Sequence, residues 1–236
     1  HSLDENERAA IARLRSPANQ LGYALQLCCL RFPGRYLRRG ELLPAIMLDH
    51  VAEQIDVDAD VIADFAKRGP TRYEQLASIK RNHGFVDLTH PVRAELKQWL
   101  EAEALSCTDG RLLLERLIAR MRERKIIIPG VSVIERLTAS AMHAADAKVA
   151  SEILAQLNTE QKAKLNAVLD DKTHAQQSRL SWLREPPIRV GARGLFELLD
   201  KIDYIRRLGI GELALPDYLK LRLSQLAREG VRYTAQ

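Results

Sequence analysis

The chain has 236 residues, 46% of them hydrophobic, enough to bury a core in each of two compact domains and too apolar for a disordered polymer. Lys and Arg total 36 against 31 Asp and Glu, a formal net charge of +5, which suits an anionic partner without demanding one. The aromatic share of 5% speaks against stacking single-stranded bases on aromatic rings, and neither a signal-peptide pattern nor an apolar run near the roughly 18 residues of a membrane span is present.

Helical periodicity punctuated by Pro and Gly runs through the chain, with hardly any strand-like alternation, so the predicted fold class is all-α. Asp4 and Glu5 begin a first helix. Ser16 and Pro17 supply an N-cap and a first-turn proline for a second, whose predicted buried stripe is Leu21, Leu25, Cys28 and Phe32. After a basic loop, Pro44 starts a third helix through Glu53, Asp58 caps a fourth through Phe65, and Gly69-Pro70 precedes a fifth from Thr71 to Asn82. Thr89 caps a sixth that reaches Leu105.

The polar, turn-rich segment from Ser106 to Gly110 is the expected boundary between two helical domains, 1–105 and 106–236. Beyond it Leu113, Leu117 and Met121 form one apolar face, and Ser132 with Glu135 has the spacing of a capping box. The run Ile126-Ile127-Ile128 reads as a buried connection between helices rather than a strand. Thr159 caps a further helix, and Leu195, Leu198, Leu199, Ile202 and Ile205 trace a long amphipathic stripe. A last helix follows Pro216 and carries Leu219, Leu223 and Leu226.

The segment from Val51 to Phe65 has the apolar skeleton of a helix-turn-helix in Val51, Ala52, Ile55, Val57, Ile62 and Phe65, with Asp56 where the turn glycine usually stands. With the fifth helix it makes a three-helix unit of the first domain. Asp49, Glu53, Asp56, Asp58, Asp60 and Asp64 crowd its first two helices, and phosphates repel such a surface. The fifth helix differs. Lys67, Arg68, Arg72, Lys80 and Arg81 surround Thr71, Tyr73, Gln75 and Asn82, a mixture of phosphate clamps and base-edge donors and acceptors. Recognition is therefore assigned to this helix, the bland alternative being a solvated basic surface.

Arg31, Arg35, Arg38 and Arg39 form a second basic cluster, in a loop with no opposing acid apparent in the sequence. The helix from Arg111 to Lys125 interleaves its arginines with Glu115 and Glu123 and reads mostly as salt-bridged surface. Lys125 and the helix start from Ser132 through Arg136 are better candidates for groove contact. Arg184, Arg189 and Arg193 flank a Pro-Pro and Gly loop that either enters a minor groove or merely joins two helices.

Enzyme readings find no support in these residues. A metal-dependent nuclease needs carboxylates converging on two cations, His50, His83, His90, His143 and His174 fall at no ligand spacing, and no P-loop, G-x-S-x-G or G-x-G-x-x-G occurs. Cys28, Cys29 and Cys107, odd in number and without C-x-x-C spacing, read as small apolar residues of a reducing compartment.

The ordered segments RSPANQLGYALQLCCLRFPGRYL, VAEQIDVD, RGPTRYEQLASIKRNHGF, IPGVSVIERL, LREPP and REGVRYTAQ resemble the N-terminal region of the Tn-three family of replicative transposases. The resemblance covers nearly the whole chain. It implies a bacterial, cytoplasmic protein whose N-terminal part binds the terminal inverted repeats of a mobile element as double-stranded DNA. A separate C-terminal part, absent here, would use an Asp-Asp-Glu triad and magnesium, so no cofactor is expected in this chain. The expected partners are transposon ends, the remainder of the transposase and, in the full-length protein, a second copy; no membrane is expected. The competing function is a helical protein-protein module for transposase assembly.

Overall fold

The computed structural model describes residues 1–38, 40–65, 69–170, 178–187, 191–211 and 213–233. Among them the regular structure is helical, with one isolated parallel bridge between Val86 and Ile126, and the all-α prediction holds. The chain divides into two compact units, His1–Ala141 and Met142–Gln236. The expected boundary at residues 106–110 lies inside the first unit, where Asp109 accepts hydrogen bonds from the N–H groups of Arg111 and Leu112 and caps a helix.

The first unit is built around α2 (Pro17–Arg31), capped by Ser16. The predicted single stripe understates its burial, because every residue from 21 to 30 is buried. Helices α1 (Glu5–Ala12), α3 (Ala45–Gln54) and α4 (Gly69–His83) and a 3-10 helix (Ala59–Asp64) all pack on it. Phe32, expected in the buried stripe, lies just past the helix end in extended conformation and is 59% exposed, with the Arg122 guanidinium 4.9 Å above its ring.

The predicted helix-turn-helix is realised only in its first half. Val51 and Ala52 are buried, and Ile55, Val57 and Ile62 pack on the same core. Asp56 adopts φ 55°, the left-handed turn conformation that Asp tolerates better than most residues. The segment after it is a six-residue 3-10 helix rather than an α-helix. Ala59, Val61 and Ile62 of this helix pack on the core. Phe65 then lays its ring against Gly22 of α2, where a Cβ would collide with it.

Helices α5 (His90–Ser106) and α6 (Gly110–Glu123) pack antiparallel. Arg116 meets Glu103 at 2.9 Å, Arg120 stands 5.6 Å over Trp99, and Arg124 meets Glu95 at 2.7 Å, each step of four along α6 matching a step of four back along α5. Leu96, Leu100, Leu113, Leu117 and Met121 are buried, as the apolar face predicted. The triple-isoleucine run is the expected buried connection. Val86 N–H donates to the Lys125 carbonyl at 3.0 Å, Ile127 N–H to Val86 at 2.9 Å and Ile128 N–H to Gly34 at 2.8 Å. Gly34 takes φ +99°, and a Cβ there would approach Ile128 to 2.8 Å, so glycine lets the basic loop seat against this run.

Helix α7 (Val131–Gln156) begins one residue before Ser132, which therefore lies in its first turn rather than capping it. The second unit holds the rest of α7 with α8 (Thr159–Asp170), α9 (Arg179–Arg184), α10 (Ala192–Arg207) and α11 (Asp217–Tyr233). Asn158, not Thr159, caps α8, exchanging bonds of 2.8 and 3.0 Å with Gln161. Trp182 of α9 meets Tyr204 of α10 edge-on at 5.7 Å. Buried Lys201 donates to the Glu185 carbonyl at 2.6 Å and pairs with Glu197 at 3.2 Å. The amphipathic stripe of α10 is not buried: Leu195, Leu198, Leu199, Ile202 and Ile205 are all exposed, as is Phe196.

Candidate nucleic-acid interface

Helix α4 turns Gln75 and Ile79 inward against α2, with Leu76 beside them. Its outer surface carries Tyr73, Ala77 and Arg81, spaced by four, together with Glu74 and Asn82. Residues four apart stack on one helical face, so these form a continuous stripe with a small residue at its centre.

The basic loop borders this stripe. Arg72 donates to the Leu37 carbonyl, while eight residues on, about 12 Å along the helix, Lys80 meets Asp87 at 2.6 Å and Asp87 accepts the Tyr36 hydroxyl. Burial and that hydrogen bond push the Tyr36 phenol up. Burial alone would raise Asp87, but the bonds from Lys80 and Tyr36 outweigh it and hold the carboxyl below its ordinary value.

The loop is not free of acids, contrary to the sequence reading. Arg35 forks onto Glu41, with one arm at 2.9 Å, and Glu41 also accepts the Arg38 N–H at 2.9 Å. This clasp raises the Arg35 pKa and lowers that of Glu41 to about 2. Arg31 pairs with buried Glu7 of α1 and donates to the Ser2 carbonyl at 3.1 Å. Glu41 lies within the loop itself, whereas Glu7 reaches Arg31 through the packing of α1 on α2. Arg38 and Arg81, by contrast, are exposed and their guanidinium groups have no ion-pair partner among the described residues.

The structure removes Gln75 from the accessible set. It is 6% exposed, accepts from Gln26 Nε2 at 3.2 Å and donates to the Asn19 carbonyl at 3.1 Å, because its position on α4 points at α2. Thr71 is half-buried, Tyr73 is exposed, and exposed Asn82 donates to Ser78 Oγ at 3.3 Å. Lys125, at φ 52°, reaches the His83 carbonyl at 3.0 Å and ties the end of α6 to the end of α4. Burial lowers the His83 pKa more than nearby Glu7 raises it. Ser132 and Arg136 are exposed on the first turns of α7, with Arg136 Nε donating to the Ser132 carbonyl at 3.1 Å. Arg184 and Arg193 are exposed in the second unit. Arg39, Lys67, Arg68 and Arg189 lie outside the described residues.

Sequence reasoning missed Tyr36, Glu41 and Asp87, which give the loop its shape. Only the charge of the two acids hinted at them. It also missed Leu42, whose place between Gly40 and Pro44 was the available signal. Among the described residues no three His, Cys, Asp or Glu side chains come together as a metal ion would require. No helix among them is long and apolar enough to cross a membrane.

Residues 1–141 match the family described as a domain of unknown function, DUF4158. The chain belongs to this family. As a DUF4158 protein it is similar along its length to transposases, and the resemblance to the Tn-three family is borne out. It is 30% identical over 239 residues to the transposase for transposon Tn2501 of Escherichia coli, covering 99% of this chain and 23% of that protein. It is 28% identical over 234 residues to the transposase for Tn1546 of Enterococcus faecium (98% and 24%) and 29% identical over 238 residues to that for Tn21 of Escherichia coli (99% and 24%). The chain thus spans about a quarter of the length of these curated relatives.

Proposed function

We propose that this chain binds double-stranded DNA at the terminal inverted repeats of a transposon, as a non-catalytic part of a bacterial, cytoplasmic transposase. The observation that carries the reading is the outward stripe of α4, Tyr73, Ala77 and Arg81, bordered by the loop bearing Arg35 and Arg38. A helix fits a major groove, and small Ala77 lets its axis approach the bases. Arg81 then forks onto a guanine and Asn82 pairs with an adenine edge, while Arg38 contacts phosphate. Arg35, Arg72 and Lys80, engaged with Glu41, Leu37 and Asp87, hold the loop at the correct distance from the helix.

The test is a nuclease footprint of the full chain on an element end, against a shuffled duplex of equal length. Protection of the end alone, lost in Arg81→Ala, supports the reading. Equal protection of both duplexes refutes sequence-specific recognition.

A second reading applies to residues 142–236, where the exposed apolar stripe of α10 suits a protein surface better than phosphates. There the partner is the remainder of the transposase or a second copy. Phosphate contacts release counterions and protein docking does not, so binding by that unit which is insensitive to salt identifies the assembly role.

A further inference from the structure

Leu42 and Ile46 are 96% and 85% exposed, the most exposed large hydrophobic side chains among the described residues. Single exposed leucines are ordinary, but the support beneath this one is not. Its neighbour Glu41 is clamped by the fork of Arg35 and by the Arg38 N–H. Leu43, on its other side, packs onto the core of the first unit, and Pro44 then leads into α3. Leu42 also borders Arg72, whose guanidinium holds the Leu37 carbonyl, at a cavity of about 200 Å³. The side chain thus stands on a stem fixed from both directions, with exposed Arg38 close by.

An apolar side chain that opens a base step needs a tip free of protein contacts, a stem that does not fold back under load, and cations to hold the flanking phosphates. Leu42 meets the first two, and exposed Arg38 supplies a cation beside it. We infer that Leu42 is a wedge that enters a minor groove and unstacks one base step of the bound duplex. This inference rests on the DNA-binding reading of the first unit. Its targets are the readily kinked pyrimidine–purine steps, TA and CA/TG, which makes the wedge a source of sequence preference at a position where no hydrogen bond reads a base.

The test uses the full chain and a 40-base-pair duplex selected by it from random sequence, with dyes at both ends and 2-aminopurine placed in turn at each pyrimidine–purine step. The expected result is a bend of about 20–90° in energy transfer, with a fluorescence rise at one step. Both should be lost in Leu42→Ala and retained in Leu42→Met. Affinity of Leu42→Ala for unselected duplex stays within about twofold, since its phosphate contacts are untouched. A bound duplex that remains straight and stacked, or a bend that survives Leu42→Ala, overturns the wedge and leaves the DNA reading standing. Failure to recover any bound duplex overturns both. If Leu42→Ala and Ile46→Ala instead convert a sedimenting dimer to monomer with the bend unchanged, the pair is a protein contact and the wedge is wrong.

Discussion

Gln75 separates a reading helix from a merely basic one, because the residue type suggests base recognition while the structure places it in the core. Gln75→Ala removes the acceptor of Gln26 Nε2 and the donor to the Asn19 carbonyl. A buried donor left without a partner costs about 1–3 kcal/mol, and losing the half-buried bond to Asn19 adds about 0.5–1.5 kcal/mol, so the expected destabilisation is about 1.5–4.5 kcal/mol. Replacing both partners, Gln26→Leu with Gln75→Leu, removes the polar pair together with Gln26 Oε1, which has no hydrogen-bond partner among the described residues. That double variant should return close to the parent. Urea unfolding followed by Trp99 fluorescence in a Trp182→Phe background reports the first unit, while competition binding of the folded protein reports recognition. The single variant should lower the urea midpoint and keep its discrimination between an element end and shuffled DNA. Unchanged stability with discrimination lost would mean that the Gln75 amide reaches a base, and the orientation assigned to α4 would be wrong.

Arg81→Ala should cost roughly 1–3 kcal/mol on the correct end and relax discrimination at one base pair, measured by competition binding against single-base variants, whereas Arg38→Ala should reduce the salt slope by about one unit for all duplexes. Gly22→Ala, which in an open helix gains about 1 kcal/mol, should instead destabilise by about 1–3 kcal/mol because the new methyl meets the Phe65 ring; a raised melting temperature would show that the ring moves aside freely. Glu41 has a folded-state pKa of about 2 against an ordinary 4.5. Its clasp with Arg35 therefore stabilises fully above that ordinary value and loses its contribution as the pH falls toward 2. A carbon-13 titration of the Glu41 carboxyl checks this, and a midpoint near 4.5 would mean that the fork is open in solution.

Helix positions were legible because Ser16, Pro17, Pro44 and Thr89 punctuate them chemically, and the apolar face of α6 followed from spacing alone. What spacing could not show was how many neighbours an element has. Helix α2 reads as one stripe although it is covered all round, and the amphipathic stripe of α10 carries no sign in its spacing that its leucines are exposed. The capping positions at Ser132 and Thr159 slipped by a residue or two, since Asn158 satisfies the same local pattern as Thr159. The basic clusters were visible as charge, but which cations remain available depends on Glu7, brought to Arg31 by the packing of α1 on α2, and on Glu41 and Asp87, which local turns of the backbone bring to Arg35 and Lys80. Gln75 was misplaced for a related reason, because a buried amide pair leaves no mark in a one-dimensional pattern of apolar residues.

The all-round burial of α2 has a consequence for re-engineering the protein. The elements α1, α3, the 3-10 helix and α4 each take their footing from that one axle, so the side of α4 turned away from it contributes little to holding the unit together. Tyr73, Glu74, Ala77, Arg81 and Asn82 can then be randomised as a set while Leu76, Ile79 and the Gln26–Gln75 pair stay fixed. A library of this kind would explore new target sequences on a scaffold whose cohesion lies elsewhere, and the fraction of its members that still fold would measure how completely the two tasks are divided.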